Sequence, residues 1–344
     1  MKSKKLIAGA LCLLGGGSVV QAESGCDQAL TIEQADRVLD LEALGAWDPV
    51  VMPRMVQQIP MTFHIVRTSA GTGGISVAQL NQGLADLNDA FIQAGMEFFQ
   101  AGPLDYINDS NYYFGMTSRA KADALRQVNP APNTINVYFV PSLFVEQSLC
   151  GLSSFSFDPV QGIIIASPCA GTPSNKSTFA HEVGHYFDLF HTHETMFGAE
   201  CPNGSNCTTA GDLVCDTAAD PELNDENVTG CQYNEILRLC LSFYHPDPTN
   251  MMSFGPETCR MTFSAGQAER MWSTLTNQRP GLLDFGTCPG DVTGDEVVDL
   301  DDLQVLLFNF GVVNPPAGDA DGDNDVDLDD LQLLLFNFGS LCAM

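Results

Sequence analysis

His181-Glu182-Val183-Gly184-His185-Tyr186-Phe187-Asp188-Leu189-Phe190-His191 sets three imidazoles and one carboxylate at the spacing a zinc centre requires. On a helix, His181 and His185 stand one turn apart on a common face, so both rings can close on one ion with Glu182 beside them. A helix that stops after His185 and bends back near Asp188 brings in His191 as a third neutral nitrogen ligand. Three protein ligands leave the fourth zinc position to water, which is what makes a zinc site catalytic rather than structural. Histidine usage supports this: of six in 344 residues, four (His181, His185, His191 and His193) fall within thirteen positions. His193 is expected beside the site and not on the ion.

In this arrangement the zinc lowers the pKa of its water and polarises a carbonyl, while Glu182 takes the water proton and later passes it to a leaving amine. The stretch therefore predicts a zinc-dependent hydrolase of peptide bonds.

Upstream, Lys2, Lys4 and Lys5 precede an apolar run over 6–20 and the small-residue site Val20-Gln21-Ala22. That order reads as a secretory signal over 1–22, followed by a mature start at Glu23. No other stretch approaches eighteen apolar residues, so no membrane span is expected. Of twelve cysteines, Cys12 lies in the signal, and the remaining eleven in an oxidising compartment imply a disulfide framework with one thiol left over. Cys150 with Cys169 and Cys201 with Cys207 are the pairs that closeness in sequence suggests. The formal charge is −29, from 43 acids against 14 bases. Such a surface excludes nucleic acid and anionic membrane as natural partners and suits cationic partners or calcium.

Residues 23–57 form a short pro-segment or N-terminal extension, with a helix capped by Thr31 and a Pro-punctuated end at Ile59-Pro60. The periodicity then predicts a strand over 61–67, a helix from Ser76 or Val77 to 94, a strand over 96–100, a helix over 118–127 and strands over 134–140 and 162–166. The zinc helix should open near Ser174 or Asn175 and end near Asp188. Residues 192–260 lack periodicity and predict irregular structure tied by disulfides, closed by a helix over 264–275. The fold class is α/β (α+β): a catalytic domain over 58–286 with a mixed twisted sheet and an active-site helix, then a small all-α calcium-loop module over 288–344. The strand over 162–166 is expected to be the rim along which an extended peptide pairs.

The tail is an internal repeat. Asp291-Val292-Thr293-Gly294-Asp295 through Asp302-Leu303 recurs 28 residues later as Asp319-Ala320-Asp321-Gly322-Asp323 through Asp330-Leu331, each copy running into a near-identical apolar helix. As twelve-residue calcium loops, the copies offer Asp291, Thr293, Asp295, Asp299 and Asp302, then Asp319, Asp321, Asp323, Asp327 and Asp330, with position 7 giving the carbonyls of Val297 and Asp325. Thirteen of the acids lie after Cys288, where there is no Lys or Arg. These loops should fold only when calcium offsets carboxylate repulsion.

With these motifs in place, the chain resembles the metzincin peptidases and, within them, the pappalysin family, whose signature HExxHxxGxxH is followed by a methionine-containing turn. Asn250-Met251-Met252-Ser253-Phe254 is similar to that turn, with Met252 as the methionine beneath the metal. The resemblance covers most of 58–286. It includes Gly211-Asp212-Leu213-Val214-Cys215-Asp216-Thr217, similar to a segment that can hold structural calcium, here through Asp212, Asp216 and Thr217. Two positions depart from the pattern. The family's glycine at the helix end is Asp188, which must then adopt a left-handed backbone. A tyrosine that helps stabilise the oxyanion in many relatives is Phe254. Some metzincin zymogens carry a cysteine cap on the metal, a role open to Cys26, although the family's flanking residues are lacking and a disulfide from Cys26 to another loop is the favoured alternative. The tail resembles a dockerin, which implies a cohesin-like protein partner, although Leu300-Asp301 and Leu328-Asp329 replace the Ser/Thr pair of cellulosomal examples. The alternative reading is a non-catalytic or weakly active metal-binding scaffold that works through this tail.

Overall fold

The computed structural model describes residues 30–48, 50, 56–144, 149–283, 290–293, 295, 297–313, 315, 317–320 and 325–340. The signal region, Cys26, Cys288, Cys342, Asp321 and Asp323 lie outside the described residues.

Strand β1 (Gln57–Arg67) is the spine of the sheet, and eight consecutive positions from Ile59 to Val66 are buried in it. It pairs in parallel with β2 (Met96–Gln100) and then β3 (Asp105–Asn108) along one side, and with β4 (Ile135–Val140) along the other. Beyond β4 lie β6 (Ile163–Ala166), parallel, and the two-residue β5 (Gly151–Leu152), antiparallel at the edge. Strands buried on both faces read as unbroken apolar runs, as Ile163-Ile164-Ile165 does.

One face of the sheet is covered by α2 (Val77–Phe91) and α5 (Thr178–Tyr186), which share a core with Phe63, Ile65, Phe98 and Ile165. On α2 the stripe Leu80, Leu84, Leu87, Phe91 faces inward. Short helix α3 (Ser110–Phe114) and α4 (Arg119–Leu125) follow β3, and Ala122 and Leu125 of α4 bury Val66, Tyr138 and Ile164 on the opposite face. Helix α1 (Ile32–Ala43) is capped by Thr31 in a capping box with Gln34. Leu30 and Val38 cluster with Phe155, Phe190 and Leu213, so contacts run across the boundary expected at residue 58.

The expected substrate rim at 162–166 is corrected by the topology. All four residues of β6 are buried, with β4 paired along the whole strand and β5 paired at Ile164 and Ile165, so among the described strands the edge on this side is β5. Two residues are too few to show a period of two, so β5 left no alternation to read.

Residues 192–260 are mostly irregular, apart from two small hairpins, β7 (Val228–Thr229) with β8 (Gln232–Tyr233) and β9 (Arg238–Leu239) with β10 (Ser242–Phe243). Disulfides join Cys150 to Cys169, as expected, and Cys231 to Cys259. The expected Cys201–Cys207 pair does not form: Cys201 bonds Cys240 and Cys207 bonds Cys215. Asn206 closes the turn between the two by accepting from Cys201 N at 2.7 Å and donating to Ala199 O at 3.1 Å, and the two thiols bridge to different segments.

Helix α6 (Ala265–Ser273) continues as a π turn over Thr274–Gln278. The tail contributes α7 (Leu300–Asn309) and α8 (Leu328–Phe336), packed on each other through Val298, Leu306, Val326 and Leu334. Among the described residues, no helix is long and apolar enough to cross a membrane.

Candidate active site

Helix α5 begins at Thr178, three or four residues later than expected, because Thr172 and Asn175 bridge and the Asn175 side chain accepts from Thr178 N at 3.1 Å. All nine residues of the helix are buried. It ends in a Schellman motif: Leu189 N donates to Gly184 O at 3.0 Å, and Asp188 N to His185 O at 2.9 Å. This ending requires a left-handed residue, and Asp188 supplies it at φ 62°. The bend turns the chain back so that His191 meets His181 and His185.

The three Nε2 atoms lie 3.1 to 3.2 Å from one another. Tetrahedral zinc with Zn–N near 2.05 Å sets its nitrogen ligands about 3.3 Å apart. Each helix imidazole is oriented through its other nitrogen: His181 Nδ1 donates to Met251 O and His185 Nδ1 to Leu189 O, both at 2.7 Å. Those bonds leave the Nε2 lone pairs pointing inward. Burial keeps the rings neutral: it holds His181 and His191 well below the usual histidine value and pushes His185 down to about 3. A neutral, converging, buried donor set of this kind fits zinc.

Met252 is fully buried beneath the helix, and a Cβ at Gly184 would lie 2.5 Å from its sulfur. The turn is held by a buried amide pair that sequence reading missed. Asn250 Nδ2 donates to Gln267 Oε1 at 2.8 Å, and Gln267 Nε2 to Asn250 Oδ1 at 3.1 Å. A single Asn and a single Gln seventeen positions apart carry no pattern that could have pointed to it.

Glu182 is fully buried and packs under the edge strand. A Cβ at Gly151 would run into the Glu182 carboxyl, so the glycine leaves the room in which that side chain stands. Gly151→Val is therefore expected to displace Glu182 and lower kcat by about 10²-fold, since misplacement by an ångström costs about that much. Steady-state kinetics of folded, metal-loaded variant will check it, and an unchanged kcat would refute the packing argument.

Asp188 does more than cap the helix. Its carboxylate accepts from Ser156 N at 2.7 Å, Ser156 Oγ at 2.6 Å, Thr274 Oγ1 at 3.2 Å and Trp47 Nε1 at 3.3 Å. Burial pushes its pKa up, against the pull of Arg279 and the Ser156 and Trp47 donors. The N-terminal extension, the segment after β5 and the π turn after α6 thus meet at one side chain. Phe254 stands 4.6 Å from the His191 ring and carries no polar atom. His193 lies outside the three-nitrogen cluster, as expected, stacked on His191. Burial lowers its pKa to about 4.

The segment expected to hold calcium divides. Asp212 accepts from Thr217 Oγ1 and Val214 N, both at 3.0 Å. Asp216 instead accepts from Ser264 Oγ and Gly266 N at the start of α6. Burial pushes Asp212 up to about 7. That folded value exceeds the unfolded one of about 3.9, so the native state holds a proton the unfolded chain has lost, and this contribution to stability, full below pH 4, disappears as pH rises toward 7. In chelator, Tm is expected to fall between pH 5 and 8 more steeply for the wild type than for Asp212→Asn; parallel profiles would contradict this.

In the tail, Asp291, Asp295 and Asp302 bring ligand atoms within 4.8 Å of one another, and so do Asp325, Asp327 and Asp330. Asp302 Oδ1 accepts from Thr293 N and Oγ1, and its Oδ2 accepts from Asp299 N. Asp330 repeats this with Ala320 N and Asp327 N. Asp299 and Asp327 cap α7 and α8. Val297 N donates to Asp295 Oδ1. Asp319 is described but joins neither cluster.

Fold and site together define a metallopeptidase: a histidine pair on one helix, a third histidine across a Schellman turn, a methionine turn below, and a mixed sheet ending in an antiparallel edge. The family model Peptidase_M43, described as pregnancy-associated plasma protein-A, matches residues 163–276, from β6 through the methionine turn into the π turn after α6. An extracellular metalloprotease of Colletotrichum graminicola is 30% identical over 298 residues, spanning 81% of this chain and 99% of that protein. The chain belongs to this M43 metallopeptidase family. An extracellular metalloprotease of Sordaria macrospora is 27% identical over 263 residues, 73% of this chain and 84% of its own. Among solved structures, promirolysin of Tannerella forsythia shares the fold with a TM-score of 0.58 at 19% identity, over 76% of this chain and 97% of that one. Mature mirolysin, solved with a cleaved peptide, gives 0.51 at 20% identity, over 67% and 97%.

Proposed function

We propose that the chain is a secreted, zinc-dependent endopeptidase of the pappalysin type whose tail is a dockerin-like, calcium-dependent attachment module. The observation that carries the enzyme reading is the three-nitrogen cluster with buried Glu182 on the same turn of α5, directly beneath the free edge of β5. His181, His185 and His191 would hold the ion. Zinc there supplies a Lewis acid and a water of lowered pKa. Glu182 accepts the water proton and returns it to the leaving amine. An extended substrate adds a strand to β5, whose backbone bonds give affinity without identity. Secretion is supported by the signal-like segment over 1–22 and by the names of the fungal relatives.

For the tail, the two carboxylate clusters and the paired apolar helices support calcium loops. A cohesin-like protein is the partner this implies. Asp212 and Thr217 are a further candidate calcium pair, with Asp216 less well placed. We retain 23–57, 58–286 and 288–344 as the working divisions of the mature chain.

The test is digestion of a denatured protein mixture, with cut sites read by mass spectrometry, beside a zinc chelator and Glu182→Ala. Cleavage lost in both arms is expected. No cleavage by zinc-loaded mature protein would overturn the enzyme reading and favour the scaffold alternative. Separately, calcium is expected to raise the Tm of the intact chain and to bind at the tail. Equal binding by a variant with Asp302 and Asp330 both changed to Ala would remove the tail assignment.

A further inference from the structure

Beside the three-histidine cluster lies a cavity of about 400 Å³, lined by His191, Thr192, His193, Asp220, Tyr244 and Phe254 among others. Peptide hydrolysis places negative charge on the scissile carbonyl oxygen, and a donor aimed there acts more strongly in the transition state than on bound substrate. Few side chains around this cavity can be that donor. Phe254 has no polar atom. Thr192 already gives its hydroxyl proton to Asp220 Oδ2 at 2.6 Å, and the Tyr244 hydroxyl reaches Glu200 O at 3.5 Å. Arg260 approaches His181 at Nδ1, the nitrogen opposite the Nε2 cluster.

His193 is differently placed. Its ring lies parallel to His191, at 11° and 4.9 Å between centroids, and 4.3 Å from the ring of Phe254. Its Nδ1 is buried without a hydrogen-bond partner. Burying an N–H with no acceptor is less tolerable than burying a lone pair. With Nδ1 enclosed, Nε2 is the nitrogen through which this ring can donate to the cavity that it lines.

We propose that His193 is a catalytic hydrogen-bond donor to the oxyanion formed from the scissile carbonyl, in a site where Phe254 offers no hydroxyl. The inference rests on the endopeptidase reading. As water oxygen bonds to the carbonyl carbon, the C=O π pair moves onto oxygen and the water proton goes to Glu182. His193 keeps its own proton throughout and acts by the hydrogen bond alone.

The experiment compares zinc-loaded wild type, His193→Phe, His193→Gln and the double variant His193→Phe/Phe254→Tyr on one peptide, with zinc content and binding of a phosphinic transition-state-analogue peptide measured beside kcat and KM. His193→Phe is expected to lose about 10²-fold in kcat, within the range for removing one oxyanion donor, with KM and zinc content nearly unchanged and analogue binding weakened by a similar factor. The glutamine amide, or the new hydroxyl of the double variant, is expected to recover tenfold or more. An undiminished kcat in His193→Phe overturns the proposal, as does a loss that neither replacement donor recovers. Should His193→Phe not fold, His193→Gln and the double variant decide it: activity near wild type in either supports a donor role, and activity absent from both refutes it. A wild type that cleaves nothing sinks the endopeptidase reading instead, an outcome distinct from these.

Discussion

Glu182→Gln is expected to lower kcat by about 10²- to 10⁴-fold, the range a positioned general base contributes, while zinc content and Tm stay near those of the wild type. Glutamine keeps the length and shape of the side chain in its fully buried place against Gly151, so packing is preserved. What is lost is the ability to take a proton from water. The groups placed to hold the metal are His181, His185 and His191, whose nitrogens converge without help from residue 182. Activity and zinc stoichiometry should therefore separate cleanly. If the variant retains activity within a few-fold of wild type, Glu182 is not the base. If it loses zinc together with activity, its main role is structural.

The second large effect is on stability. Asp188→Ala should destabilise the fold by roughly 3–5 kcal/mol, the range for removing one partner from a buried charged network. For a domain of this size that corresponds to a fall in Tm of roughly 6–20 °C. The alanine strands the Ser156 and Trp47 donors in the interior and must also adopt φ 62°, where its Cβ is strained. Asp188→Gly removes the strain but still strands the donors, and Asp188→Asn keeps an acceptor and tolerates the backbone. The expected order of stability is wild type, Asn, Gly, Ala. Because Asp188 sets the turn that delivers His191, zinc affinity should also weaken, by about 10- to 100-fold as for other groups that orient ligands. A glycine variant as stable as wild type would show that the network contributes nothing beyond permitting the turn.

The histidine spacing, the bend at Asp188 and the methionine turn at Met252 all lie on short stretches of chain, so local geometry was enough to place them together. The helices at 77–91 and 119–125 and the strands at 96–100 and 135–140 were legible for the same reason, because their apolar residues repeat at one period in elements long enough to show it. Gly151 was invisible. Its function depends on the Glu182 carboxyl, which reaches it only after β5 folds back antiparallel on β6. The Asn250–Gln267 pair, the Cys201–Cys240 and Cys207–Cys215 bridges and the four donors on Asp188 are likewise contacts between distant segments.

The sequence by itself determined which histidines converge, the carboxylate beside them, the helix that carries the first two and the repeated acidic stretches of the tail. These are fixed by residue type and by spacing along a helix or loop of known pitch. Only the tertiary structure decided which strand lies at the edge beside β6, which cysteines pair, what surrounds Glu182 and that His193 and Phe254 line one cavity. Those features arise where separate segments pack against one another, and burial, which sets the hydrogen bonding and protonation of each group, exists only once the chain has closed around it.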